Sequence, residues 1–280
     1  MLTINLYDTN FENSMGVYGY YTSTDNVRPS VLKWVKGEDR DMVSVFTDRM
    51  LWHVMNSEAA MKVAWIIEPR EVFGSQPHRD VVKLEHQFDL IFTHDKRLLK
   101  RGDKYKLAPW GGCWIPEEDW AIYPKKIVKP SLIASNKTMT QGHNLRHVIA
   151  REFGDRVDMV GHHPYRPIKN KLEVLCDRAF AVVVMNAREE NWFSELLIDT
   201  LVTGTVPIFW GCPNIADYFD VRGFLSFSNL DQLDDILDNL SMELYDSMKT
   251  AIINNFEEAK RYKSTDDLFG IAFKKEVGNG

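Results

Sequence analysis

The sequence predicts an α/β protein of two domains, each built on a parallel sheet. Three observations carry this. Continuous apolar runs such as Phe180-Ala181-Val182-Val183-Val184-Met185 are what a strand covered on both faces requires. Segments with helical spacing alternate with those runs, as βα units do. The chain has 280 residues, which at roughly 100–200 residues per domain leaves room for one large or two modest domains.

Strands are expected at 2–7, 42–46, 63–67, 90–93, 131–134, 157–160, 179–185 and 206–210. Helices are expected at 143–153, 170–176 and 194–203. The stretch 114–130 carries Pro116, Pro124 and Pro130 among charged and aromatic residues, and reads as the link between domains. The domains are then 1–128 and 129–280. After Phe227 the pattern turns helical, over 230–240 and 242–262, and the last helix is a candidate to pack back on the first domain. Residues 278–280 read as a loose end, and no internal repeat or low-complexity segment is visible. Two such domains are expected to hold a ligand in the cleft between them, where strand ends and helix N-termini can receive phosphates.

Lys and Arg number 34 against 40 Asp and Glu, a formal charge of −6, which argues against a general nucleic-acid binder. With 12% aromatic residues the chain is not of disordered composition. No apolar run approaches the ~18–20 residues of a membrane helix, and the first residues do not read as a signal peptide, so a cytoplasmic protein is expected. Cys113, Cys176 and Cys212 are odd in number and far apart, which excludes a disulfide framework or a CxxC metal knuckle.

The most informative stretch runs from Lys171 to Phe227. Its strand ends at Met185-Asn186, a polar loop follows, and then Asn191-Trp192-Phe193-Ser194-Glu195 opens a helix. Ser194 suits the N-cap of that helix. Glu195 can accept hydrogen bonds from ribose hydroxyls, or can merely complement the helix dipole. Gly204-Thr205-Val206-Pro207-Ile208-Phe209-Trp210-Gly211 comes next.

This ordered series resembles the donor-binding domain of family 10 glycosyltransferases, the α-1,3/1,4-fucosyltransferases. Asn186 matches the Asn at the family's strand end, Trp192 its Tyr, Ser194 its Thr and Glu195 its motif Glu, and 204–211 matches its glycine-rich turn. Upstream, Ser135-Asn136 and Asn144-Leu145-Arg146 look like the family's Ser-Asn segment and the Arg that contacts the donor pyrophosphate. Val157-Asp158-Met159-Val160-Gly161 resembles another of its strand ends. In the first half, Val63–Pro69 looks like the apolar strand that ends in the family's proposed general base, here Glu68, and Ala108-Pro109-Trp110-Gly111 resembles its Pro-Tyr-Gly.

The resemblance covers roughly residues 60–230 and implies a GT-B fold: two Rossmann-like domains with a cleft and C-terminal helices. It implies an inverting glycosyltransferase with an acceptor-side first domain and a donor-binding second domain. Glu68 would be the catalytic base, and Arg146, Asn186, Trp192, Ser194 and Glu195 would bind the donor. Further contacts to donor or acceptor are expected from His162, Arg188 and Trp110. The leading donor is GDP-fucose, the partners are a nucleotide sugar and a glycan acceptor, and no metal or other cofactor is required. The loops 71–80 and 16–29 are expected to shape the acceptor pocket.

The match departs from the family at two points. Leu196 stands where the family has a Lys after its motif Glu, and Met185 where it has a Glu before the Asn. Arg178 and Arg188 are candidates to restore the missing charge. These departures keep two other readings open: a GT-B transferase with a different nucleotide sugar, such as an exostosin-like enzyme, and a catalytically silent nucleotide-sugar-binding module. Asp39-Arg40-Asp41 fits the Asp-x-Asp pattern of metal-dependent transferases but precedes a strand, so a metal role is not expected.

Overall fold

Apolar runs form parallel strands where both faces can be covered. The computed structural model, which describes residues 2–9, 29–37 and 39–278, contains two such sheets. The chain forms two compact units. Unit 1 comprises Met1–Gly112, Glu190–Trp192 and Ser264–Gly280; unit 2 comprises Cys113–Glu189 and Phe193–Lys263.

Unit 1 holds β1 (Leu2–Tyr7), β2 (Leu32–Val35), β3 (Val43–Thr47), β4 (Met61–Ile66), β5 (Leu90–Thr93) and β6 (Tyr105–Leu107). Helix α1 (Gln76–Lys83) follows β4, and the single turn α2 (Lys96–Leu99) follows β5. The strands lie in the order β2-β1-β3-β4-β5-β6, and every pair is parallel. Strand order reverses between β1 and β3, which stay paired to the last residue of β1, so the connections leaving their C-terminal ends run apart. Phe46, Ala64, Ile66, Val81, Phe88 and Ile91 fill one face of the sheet.

Unit 2 runs β7 (Ser131–Ala134), α3 (Gln141–Phe153), β8 (Asp158–Gly161), α4 (Leu172–Leu175), β9 (Phe180–Val184), α5 (Glu195–Leu201), β10 (Val206–Trp210) and β11 (Leu225–Ser226). Helices α6 (Leu230–Asp238), α7 (Met242–Ser247) and α8 (Lys249–Ala259) complete it. The sheet order is β11-β10-β9-β7-β8, again all parallel, and the reversal falls between β7 and β9. Every residue of β9 and β10 is buried, which explains their unbroken apolar sequence.

The proline-rich stretch 114–130 belongs with unit 2. Ala121 and Tyr123 donate their N–H groups to the carbonyls of Val202 and Thr203, and Lys126 and Ile127 donate to Asp177. The Lys125 ammonium donates to the Leu175, Cys176 and Thr203 carbonyls and to Thr205 Oγ1 at 2.7–3.3 Å. The chain then returns to unit 1 as α9 (Thr265–Val277), which packs on β2. Asp267 accepts from the Ser30 and Val31 N–H groups at 2.8 and 2.9 Å, Asp266 from Trp34 Nε1 at 2.8 Å, and the Phe269 ring stacks on Trp65 at 4.4 Å.

Several elements depart from the sequence expectation. Strands β6 and β11 have three and two residues, too short for a periodicity to register, and the four-residue β2 alternates buried with more exposed positions instead of forming an apolar run. The expected helix 242–262 breaks into α7, α8 and a 3-10 turn at Lys260–Tyr262. The expected loop 71–80 is helical from Gln76 onward. The expected loop 16–29 lies, apart from Pro29, outside the described residues, as do residues 279 and 280. Among the described residues, no helix is long and apolar enough to cross a membrane.

Candidate functional site

In unit 2 two of the candidate donor-binding side chains, Arg146 and Asn186, meet where strand order reverses. Helix α3 begins beside the end of β9, with the Thr140 hydroxyl accepting from the His143 N–H. Gly142 makes the approach feasible. Its N–H donates to the Asn186 carbonyl at 3.0 Å, and a Cβ at this position would lie 1.8 Å from the Met185 carbonyl oxygen. One turn further on, Arg146 is buried rather than solvated on the helix surface. Its Nε donates to the Val184 carbonyl at 3.0 Å, Nη2 donates to the same oxygen, and Nη2 also reaches Asn186 Oδ1 at 3.0 Å. These bonds use Nε and Nη2 and leave Nη1 outside them, so one arm of the fork can serve a ligand.

Burial lowers the Arg146 pKa to about 10, with the Glu195 carboxylate pulling the other way, so the guanidinium remains cationic at neutral pH. His143, one turn before it, pairs with Thr140 Oγ1 at 2.9 Å. Burial, with Arg146 adding to it, lowers its pKa to about 4, and at neutral pH the imidazole is uncharged.

Glu195 opens α5, and Lys171 approaches it at 3.4 Å. The same ammonium pairs with the fully buried Asp199 at 2.6 Å and lies 4.2 Å from the centre of the Trp114 ring. Burial opposes the charge on Lys171, but Asp199 and Glu195 outweigh it and hold its pKa above the ordinary lysine value. Asp199 also receives the Trp114 and Ile115 N–H groups and the Cys113 thiol. Glu195 is therefore flanked by two cations, the half-buried Lys171 in contact and the buried Arg146 through its field.

Lys171 went unassigned in the sequence. Its partners lie 24 and 28 residues further along, and no spacing rule links them. The two arginines considered as replacements for the missing Lys are engaged elsewhere. Arg178 pairs with Asp158 at 2.5 Å, and exposed Arg188 lies over the Trp210 ring. Leu196 is buried in the core. Ser194 occupies the N-cap position, but its hydroxyl makes no cap bond and faces the Met185 sulfur. With seven residues, α5 offers only a weak dipole. His162 is exposed just after β8.

In unit 1 Glu68 lies two residues beyond β4, partly exposed, one strand over from the β1–β3 reversal. Its backbone N–H points at the Asp48 carboxylate, 3.3 Å from Oδ2, and that carboxylate accepts the Ile67 N–H at 2.9 Å. Burial, together with the Glu68 and Asp8 carboxylates nearby, raises the Asp48 pKa well above the ordinary value, against the pull of those N–H groups. Asp8 accepts from the Thr47 hydroxyl. The next cation, Arg70, pairs with Asp95 at 2.5 Å.

Trp192 belongs to this unit. Its indole N–H donates to the Ile67 carbonyl at 3.2 Å, one residue before Glu68. Trp110 is buried with its ring 6.4 Å from that of Trp65, a core position rather than an open platform. Asp39 accepts from Ser44, Ser57 and the Glu58 N–H and so braces a turn, where burial is outweighed by these bonds and its pKa falls.

No family model matches the chain. In sequence it is 30% identical over 71 residues to the α-(1,3)-fucosyltransferase FucT of Helicobacter pylori, a match spanning 25% of this chain and 15% of that enzyme. In fold it resembles a crystal structure of an α1,3-fucosyltransferase, with a TM-score of 0.56 at 18% identity over 100% of this chain and 90% of the other. The same holds for an α1,3-fucosyltransferase structure with GDP-fucose, at 0.53 and 16% over 99% and 88%. The HepE protein of Anabaena, in complex with UDP and glucose, gives a TM-score of 0.61 at 11% identity over the whole of both chains. The two parallel sheets and these likenesses together give the chain the GT-B fold of α1,3-fucosyltransferase structures.

Proposed function

We propose that the protein is an inverting glycosyltransferase that moves a sugar, with fucose from GDP-fucose as the leading donor, onto a hydroxyl of a glycan acceptor. The observation that carries this reading is the buried Arg146–Asn186 pair at the strand reversal of unit 2. A buried guanidinium with one free arm suits a diphosphate, and a strand reversal is where doubly wound sheets take nucleotides. Glu195 then accepts from ribose hydroxyls, with the Lys171 ammonium beside it.

Glu68 acts as the base. It takes the acceptor hydroxyl's proton as that oxygen bonds to the anomeric carbon, and the carbon–oxygen bond to the diphosphate breaks with its electron pair leaving on phosphate. Arg146 stabilises that developing charge, so this reading requires no metal ion. The three thiols, none in a disulfide, fit a cytoplasmic setting.

A donor panel tests the proposal. Full-length protein should show a raised melting temperature with one class of nucleotide sugar and transfer its sugar. Glu68→Gln should cut turnover by about 100-fold or more while donor affinity is kept. No nucleotide-sugar binding at all removes the transferase reading, and binding without turnover in the unaltered protein leaves a silent binding module. A second donor reading is favoured by Leu196, buried where the fucosyltransferase pattern has a cation, and by the fold likeness to HepE with UDP. Competition of GDP against UDP separates the two.

A further inference from the structure

Unit 1 carries a second feature that none of this chemistry uses. An open depression of about 410 Å³ is lined by Arg70, Arg79, Lys83, Arg97 and Arg101, with His78, Val82 and Leu98 completing it. No carboxylate lines it, in a chain of net charge −6. Three of the five cations are matched from outside the cavity lining: Arg70 by Asp95, Lys83 by Asp80 and Arg101 by Glu85.

The other two are not matched in this way. Arg79 donates to the Gly74 carbonyl and Gln76 Oε1, both neutral, and no carboxylate pairs with Arg97 among the described residues. Two guanidinium charges thus face the cavity uncompensated, beside an apolar wall of Val82 and Leu98. Planar, permanently charged forks of this kind grip phosphate and sulfate oxygens in pairs, and the volume falls in the range of small-ligand sites.

We propose that this cavity binds a small molecule bearing a phosphate or sulfate ester, with Arg79 and Arg97 on the anion and Val82 and Leu98 against its carbon body. Arg70 lies two residues beyond Glu68. On the transferase reading above, and resting on it, the bound anion belongs to the acceptor.

The test is calorimetric titration of the full chain with glucose 6-phosphate, with glucose as the uncharged control. Saturable binding of the phosphate ester and none of glucose is expected. Arg79→Gln with Arg97→Gln should weaken it at least about tenfold, the paired Lys replacements, which keep the charge but lose the fork, should restore only part of it, and melting temperatures should stay unchanged. Arg146→Gln should leave it intact. No binding, equal binding in the double Gln variant, or loss only in the Arg146 variant overturns the proposal. So does a result in which phosphatidylglycerol vesicles, but not glucose 6-phosphate, bind in an Arg79- and Arg97-dependent way. Loss of transfer with sugar-phosphate binding retained would sink the transferase reading and leave this site standing.

Discussion

His143 shows how one side chain couples the candidate donor site to solvent conditions. Its folded pKa is about 4 against 6.5 for the free side chain, so the unfolded chain takes up a proton that the native state refuses. Stability is therefore lost as pH falls from about 6.5 toward 4. At pH 4.5 the loss from this residue is about 2 kcal/mol, taking one pKa unit as roughly 1.4 kcal/mol. Urea unfolding of the unaltered protein and of His143→Gln at pH 7 and 4.5 should show a smaller acid loss in the variant by that amount. An equal loss in both would mean that His143 is protonated in the native state. Asp48 has the opposite sign. Its raised pKa means that its contribution is present below the ordinary carboxyl value and fades as pH rises through the native one.

Among the elements, α3 depends most on a missing side chain. Adding a Cβ at Gly142 would push the helix start off the end of β9 and pull Arg146 from Val184 and Asn186. Gly142→Ala should cost about 1–3 kcal/mol in stability and weaken donor binding, measured by thermal melts and titration, while the exposed Asn144→Ala should do neither. No pattern in the sequence reports this contact, because it depends on the distance between two backbones. Elements were legible where apolar residues dominate them. The expectations for β1, β5, β7 and β10 match the observed bounds, since most residues of each are apolar. Helices α1 and α9 were missed for the reverse reason. They bury His78 and Asp80 beside Val81, and Asp266 and Asp267 beside Phe269 and Phe273, so polar residues interrupt their inner faces. Lys171 escaped for want of local partners, whereas Arg146 and Asn186 were found through an ordered motif and could not have been paired from sequence spacing alone.

Across the whole molecule, unit 1 is assembled from three separated stretches of chain and unit 2 from two. Trp65 and Phe92 in the first stretch are covered by Phe269 from the last, and Ile67 receives the Trp192 indole from the middle one. A fragment ending at Gly112 lacks both covers and leaves large aromatic surface in water. It should show no cooperative thermal transition alone, and should gain one when a peptide spanning 264–278 is added, read by near-ultraviolet circular dichroism. A cooperative melt of the fragment alone would show that α9 is dispensable.

The return of α9 to β2 also sets an order of events during synthesis. The unit whose first strand leaves the ribosome earliest cannot finish until the last helix has emerged, whereas its neighbour has all its residues by position 263. The half begun first is completed last. Until then its open aromatic face is what a chaperone or a stalled, truncated product would present to the cell.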